Sequence, residues 1–494
     1  MKTFETHGWV HPISLAYVPG KPNLALEQAT QVLLEWMKSF GCTLEAQPTN
    51  TTDLIITTAS FGDPVDRDQA LLFHAKRLYR LSHRPTVLTL VAIEEVEYQK
   101  WLEHFAELAR QPEGANLDEQ FPGLGPRAVE VMVQQAKRGG PEVALGRFLQ
   151  SQMKSVRVVA LRTDPQGQPR WAVHFDLAGA HPVTDASDLA VFAREIGLQI
   201  LAAACAHEVD HHDYFPEPVP QDLWDKLSTP DTMIQAGVMF TEYGFFTTPV
   251  YIEKLLGYRG IGDAISAQYS EGCYAVFEPE IPGLISTATG SSRLVDKRLI
   301  SRSDQAIILG VKPDRDGAIV RPVAGMERVV PSVEAVEMMG VCEAVPSHLH
   351  TNSRGEQLRI PNVRAILHGH LGVSTFKPEY VESVSLDAPY YTHLVSCGTG
   401  ALAQGTAAAF ARSAALRDLN DPRGVIFLEQ PGHGVVVVEK WVEGKAPFET
   451  IREYLDAGHL KITLAVPQGA VQWEQVTLPD GQVVMQKAAD LVKV

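Results

Sequence analysis

The sequence predicts an α/β protein of two domains, the first built on a doubly wound, mostly parallel sheet. Three observations carry this expectation. Between residues 12 and 130, short apolar β-branched runs alternate with segments of helical apolar spacing, the order of a parallel sheet covered on both faces. At 494 residues the chain is longer than one hydrophobic core normally supports. A proline-rich stretch, Phe215-Pro216-Glu217-Pro218-Val219-Pro220, reads as a linker. The expected domains are residues 1–215, an α/β domain of unassigned role, and residues 216–494.

Taken in order, residues 13–18 form a short apolar strand, and residues 24–40 carry apolar side chains at helical spacing up to Gly41. Strands follow at 53–59 and 86–93, and helices at 67–81, 94–108, 126–138 and 141–153. Residues 156–162 and 171–177 are strands joined by the turn Asp164-Pro165-Gln166-Gly167. A long helix is expected over 186–212, capped by Thr184 or Asp185. The segment Ser60-Phe61-Gly62-Asp63-Pro64 follows a strand end, where such sheets bind ligands, but no phosphate-cradling glycine motif is present and an ordinary turn is expected. Beyond the linker, helices are expected at 220–226, 231–238, 332–343 and 399–412. Strands are expected at 274–277, 284–288, 305–311, 363–368 and 424–428. Residues 462–466 and 471–485 read as a terminal hairpin turning at Pro479-Asp480-Gly481.

Composition excludes several classes. No run approaches eighteen apolar residues, and MKTFETHGWVHP lacks a signal-peptide core, so a soluble, cytoplasmic protein without a membrane partner is expected. Five scattered cysteines without a CxxC pair fit reduced thiols. A formal charge of −16 argues against nucleic acid as the main partner.

The chemistry concentrates late in the chain. His368 and His370 lie two apart in IPNVRAILHGHLG, so on a strand both face one way. A second apolar strand leads to His433 in FLEQPGHGVVVV. Three neutral imidazoles with an open fourth position form the ligand set of a catalytic zinc; the alternative is histidines satisfied by hydrogen bonds in a core or at the surface. Manganese, iron and cobalt are accepted by the same ligands.

Six pieces follow one another from about residue 257 to 450: GIGDAIS at 260–266, ISTATG at 285–290, PSVE at 331–334, HGH at 368–370, APYYT at 388–392 with CGTGALA at 397–403, and the strand running to His433. In this order the chain resembles the class II aldolase/adducin-like family, which includes fuculose-phosphate and rhamnulose-phosphate aldolases. The resemblance implies an α/β/α sandwich that assembles into a homotetramer with active sites at subunit contacts. It also implies a metal-dependent carbon–carbon lyase, or a related epimerase or decarboxylase, acting through an enediolate on a small hydroxylated carbonyl or sugar-derived substrate. His368, His370 and His433 would hold the divalent metal. Glu334 would be the acid/base, against the alternative of a helix-start carboxylate favoured by the dipole. Tyr390, or its neighbour Tyr391, would be the acid on the aldehyde side. Thr289, Gly290 and Ser332 would cradle an oxyanion, with Asp263 at the family's phosphate-binding Asn. Asp263 and Val333 depart from the family pattern, and a carboxylate aimed at a phosphate repels it, so a substrate lacking phosphate there is expected.

Two other histidine motifs compete. His207-Glu208-Val209-Asp210-His211 matches the HExxH of zinc peptidases, but Asp210 intrudes and a polar helix end is the simpler reading. His348 and His350 lie in an insertion relative to the family, expected as a solvated loop. A non-catalytic adducin-like scaffold is the remaining alternative.

Overall fold

The computed structural model describes residues 13–49, 51–63, 86–111, 141–153, 157–166, 169–176, 179–180, 184–185, 188–204, 211–243, 245–246, 272–288, 297–326, 328–369, 372–387, 398, 400–430, 434–463, 472–477 and 483–488. The chain divides into two compact units, residues 1–205 with 249–266 and 464–494, and residues 206–248 with 267–463. Both are of α/β class. Among the described residues no helix is long and apolar enough to cross a membrane.

The first unit is organised by β1 (Ser14–Val18), β2 (Thr43–Glu45), β3 (Leu54–Ser60), β4 (Thr86–Glu94) and β5 (Arg157–Thr163). These five run parallel in the order β2-β1-β3-β4-β5, and β6 (Pro169–Asp176) adds antiparallel to β5. Helices cover both faces, which is why the strands read as near-continuous apolar runs. Leu54, Ile56, Leu88 and Leu90 pack under α1 (Leu24–Ser39). Ala59, Val91 and Ile93 pack with α2 (Glu95–Arg110) and α3 (Pro141–Met153). Asn23 starts α1 by accepting the Leu26 N–H at 3.2 Å, and Leu26, Ala29, Leu33 and Met37 then recur on its buried face. The helices expected at 67–81 and 126–138 lie outside the described residues.

The long helix is shorter than its sequence predicts. It spans Leu189–Ala204 (α4), and Asp188 accepts the Ala190 N–H at 2.7 Å in place of the expected caps Thr184 and Asp185, which form a short strand, β8, beside β6. Residues 205–210 are outside the described residues; His211 and His212 belong to no helix and lead into β9 (Asp213–Tyr214), a strand of the second unit.

The second unit holds a nine-stranded mixed sheet whose centre is β20 (Gly434–Lys440), β16 (Val363–Gly369), β10 (Cys273–Glu278), β11 (Gly283–Thr287) and β12 (Gln305–Val311), all antiparallel neighbours. β19 (Val425–Gln430) and the parallel β18 (Val381–Val384) close one side; β13 (Ala318–Arg321) and β9 close the other. One face packs under α7 (Ala335–Ala344) and α8 (Gly400–Ala411) through Cys273, Ala275, Ile366, Leu428 and Val436. On the other, Tyr274 donates its hydroxyl to the Met233 carbonyl of α6 (Thr229–Glu242), and rings of Phe240, Phe246 and Phe448 pack around it.

The terminal hairpin also differs from its expectation. β21 (Leu460–Thr463) pairs with β17 (Gly372–Phe376), and the hairpin proper is β22 (Gln472–Thr477) with β23 (Val483–Ala488). An isolated apolar run reads as a strand but does not name its partner.

Candidate metal and proton-transfer site

β16 is the spine of the site. Its apolar run is fenced on both sides by hydrogen-bonded strands, and its last turn outward brings His368 opposite Cys273 of β10 and Val436 of β20. Directly opposed residues on antiparallel strands share a face, so His368 and Cys273 both point toward α7, and His368 is only 1 % exposed. Close approach of a loop makes this corner tight. Gly272 has φ +73°, and a Cβ there would stand 2.6 Å from the His368 carbonyl oxygen and 2.9 Å from the Phe246 ring. Only glycine meets both demands.

Of the three expected metal ligands, His368 is described; His370 and His433 are outside the described residues. β16 ends at Gly369, which pairs with Val435, and β19 ends at Gln430, which pairs with Gly434. The described strand ends on either side of positions 370 and 433 are therefore neighbours in one sheet.

The carboxylates arrive from the helix side. Pro331 bridges to Ala288, and the Ser332 N–H donates to the Thr287 carbonyl at 3.0 Å, docking PSVE against the end of β11. Glu334 then stands at the N-cap of α7, just before Ala335. Its side chain makes no capping bond and it is 3 % exposed, so it is not a solvated dipole partner. One turn on, Glu337 is equally buried. Gln430 donates its amide to Glu337 Oε1 and, at 3.1 Å, to Thr406 of α8. Burial, then the charge of Glu334 and a hydrogen bond with it, hold the Glu337 carboxyl well above the ordinary carboxylate range, against the opposing bonds from Thr406 and Gln430.

Cys273 ties the two halves together. Its thiol is held protonated by burial first and by the charge of Glu334 second; a hydrogen bond with Ser332 and the charge of Lys297 act the other way. Lys297 is itself buried, and desolvation pulls its ammonium down to about 8 against the charges of Cys273 and Asp304. The site thus gathers His368, Cys273, Ser332, Glu334, Glu337, Thr406 and Gln430 at one end of the sheet, with Lys297 behind Cys273.

Glu337, Gln430, Thr406, Cys273 and Lys297 were not anticipated from the sequence. One signal existed: Glu337 interrupts the otherwise apolar start of α7, AVEMMGVC, at a position one helical turn from Glu334. The expected Tyr390, Tyr391, Asp263, Thr289 and Gly290 lie outside the described residues.

Two competing motifs are corrected by the structure. His211 is not helical: its N–H donates to the Asp316 carbonyl at 3.1 Å and its carbonyl accepts from Lys312 Nζ at 2.9 Å, so the one-face helical geometry that HExxH needs does not reach its second histidine. His348 and His350 are not in a solvated loop. They lie on β14 (Ser347–Thr351), paired with β15 (Gln357–Pro361), and the two-residue period lays both rings against Trp441, at 5.6 and 5.2 Å. His348 Nδ1 also bonds Asn362 Oδ1 at 2.9 Å, and Arg364 stacks on Trp441 at 4.2 Å.

Among the described residues no three His, Cys, Asp or Glu side chains form a metal-holding group. What is described nonetheless suits a divalent ion: a buried imidazole on a rigid strand opposite Cys273, and two buried carboxyls whose charges act on that same cysteine and whose mutual repulsion a cation or a proton must relieve. No family model, no curated protein and no solved structure matches this chain.

Proposed function

We propose that the chain is a metal-dependent carbon–carbon lyase of class II aldolase type, acting through an enediolate on a small hydroxylated carbonyl or sugar-derived substrate. One observation supports this reading above the others: Cys273, on the helix-covered face, stands opposite His368 in the sheet and feels the charge of Glu334, thirty-four positions before His368 in sequence. His368, His370 and His433 would hold the ion, zinc by default, and a bound ion supplies Lewis-acid stabilisation of developing oxyanion charge. Glu334 moves the proton at the substrate carbon, and its burial beside a neutral neighbour keeps water from competing for that role. Tyr390 serves the aldehyde side, as the resemblance implies. Thr289, Gly290 and Ser332 bind substrate oxygens, and Asp263 turns away a phosphate at that end. The working form is a cytoplasmic homo-oligomer, a tetramer by the same resemblance.

Elemental analysis of the wild type, His433→Ala and His207→Ala tests the assignment. About one ion per chain, lost only in His433→Ala, is expected for a three-histidine site. Glu334→Gln should retain the ion and lose about 10²-fold or more in cleavage of hydroxyketone substrates. Absence of metal in every sample after reconstitution would refute the lyase and leave the adducin-like scaffold.

A further inference from the structure

Glu337 belongs to no part of the proposed ligand set or proton path, yet it is the most elaborately held carboxyl near the site. It sits on α7 one turn after Glu334, is 3 % exposed, and has its Oε1 occupied by the Gln430 amide. Gln430 is fixed in turn on Thr406 of α8, so Glu337 is locked between two helices and the end of β19. Its Oε2 receives no hydrogen bond from an N–H or O–H donor, and its carboxyl stands within hydrogen-bonding reach of the Glu334 carboxyl. Two carboxyl oxygens make a favourable contact only when one of them carries a proton. Among the described residues, the charges of the pair act on Cys273, which also feels Lys297 and stands opposite His368 in the sheet; the side chains that α8 and β19 bring to Glu337, Thr406 and Gln430, are not ionisable.

We infer that Glu337 is a positioning residue: a neutral carboxyl, fixed through Gln430 and Thr406, that donates its O–H to Glu334 and so keeps Glu334 ionised and aimed as the base of the site. The inference rests on the lyase reading for what Glu334 does, and on the packing alone for the shared proton. No net transfer is involved. The hydrogen stays covalently bound to Glu337 and bridges to Glu334, and the pair carries one negative charge between two carboxyls. Burial of two carboxyls, which would otherwise leave both neutral, is thereby made compatible with one working base.

Two substitutions separate this from a volume-filling role. Glu337→Gln preserves shape, accepts from Gln430 and offers an amide N–H to Glu334. Glu337→Leu preserves bulk and offers no donor. The infrared band of protonated carboxyls is recorded at pH 7 on purified protein, with and without chelator. In Glu337→Gln the band should lose one carboxyl relative to wild type, because Glu334 stays ionised against the amide. In Glu337→Leu the band should keep its wild-type intensity but shift, because Glu334, left without that donor, takes up a proton. Once a cleaved substrate is in hand, Glu337→Gln should keep kcat within about 3-fold, while Glu337→Leu loses about 10²-fold in kcat at unchanged KM. An unchanged band in Glu337→Gln, or the same loss of band in Glu337→Leu, overturns the inference. Failure of the metal analysis with the infrared pattern intact would remove the lyase and leave the shared proton standing.

Discussion

Gly272 is where a single methyl group should be felt at the site. Its φ of +73° lies in the left-handed region, and an added Cβ would stand 2.6 Å from the His368 carbonyl. Gly355, in the turn between β14 and β15, offers an internal control: its φ is +78°, but a Cβ there meets nothing within 4 Å. Gly355→Ala therefore bears only the cost of a left-handed alanine, about 1–2 kcal/mol. Gly272→Ala bears that cost and must also push back a carbonyl on a strand bonded on both sides, a further overpacking cost of about 1–3 kcal/mol. At about 2–4 °C per kcal/mol for a unit of this size, the expected losses in Tm are about 2–8 °C for Gly355→Ala and about 4–20 °C for Gly272→Ala. Differential scanning calorimetry reads both, and metal content of the same samples reports whether His368 has moved. Equal losses in the two variants, or a neutral Gly272→Ala, would refute the claim that this glycine is required by the approach to His368.

Three further outcomes are expected. Glu439 is fully buried and accepts N–H groups from Ile451 and Phe448, the latter held at φ +66° at the start of the helix Glu449–Asp456. Burial raises its carboxyl from the ordinary 4.5 to about 7, outweighing those bonds and the charge of Arg364. An acid that binds its proton more tightly when folded contributes stability fully below its unfolded value and loses it as pH rises through the folded one. Stability should thus fall by about 3 kcal/mol between roughly pH 4.5 and 7, at about 1.4 kcal/mol per pH unit. Denaturant titrations across that range should show this slope flattened in Glu439→Gln. Trp441→Ala removes the ring shared by His348, His350 and Arg364 and should cost about 3–5 kcal/mol, with hydrogen exchange accelerated in residues 347–361. In the first unit, Arg162 is buried over the Tyr98 ring at 4.2 Å and paired with Glu95 at 3.2 Å. Arg162→Ala strands that carboxylate and should cost about 3–5 kcal/mol by urea unfolding, whereas a neutral result would show the pair to be dispensable.

Secondary structure was legible wherever local chemistry and burial agree. The run at 53–59 is β3 within one residue, and the helix expected at 24–40 is α1, because an Asn cap and a recurring apolar stripe are local statements. The helix expected over 186–212 begins only at Leu189, behind Asp188, and does not include His211, whose backbone pairs with Asp316, a residue a hundred positions away. Likewise 462–466 reads as strand from its own residues, but its partner, β17, is ninety positions upstream. Pairing energy is non-local, and no window of sequence contains it.

The same division runs through the site. By itself the sequence determined the α/β class, the apolar strand that carries His368, and the candidacy of His368, since those depend on composition and spacing; Glu334 was a candidate only through the resemblance. Only the tertiary structure decided that Glu334 is buried rather than a solvated helix-start carboxylate, that Cys273 stands opposite His368 and feels the charge of Glu334, and that Glu337, held by Gln430, is hydrogen-bonded with Glu334. A carboxyl's role depends on what replaces its water, and those replacements come from β10, β19 and α8, tens of residues away along the chain.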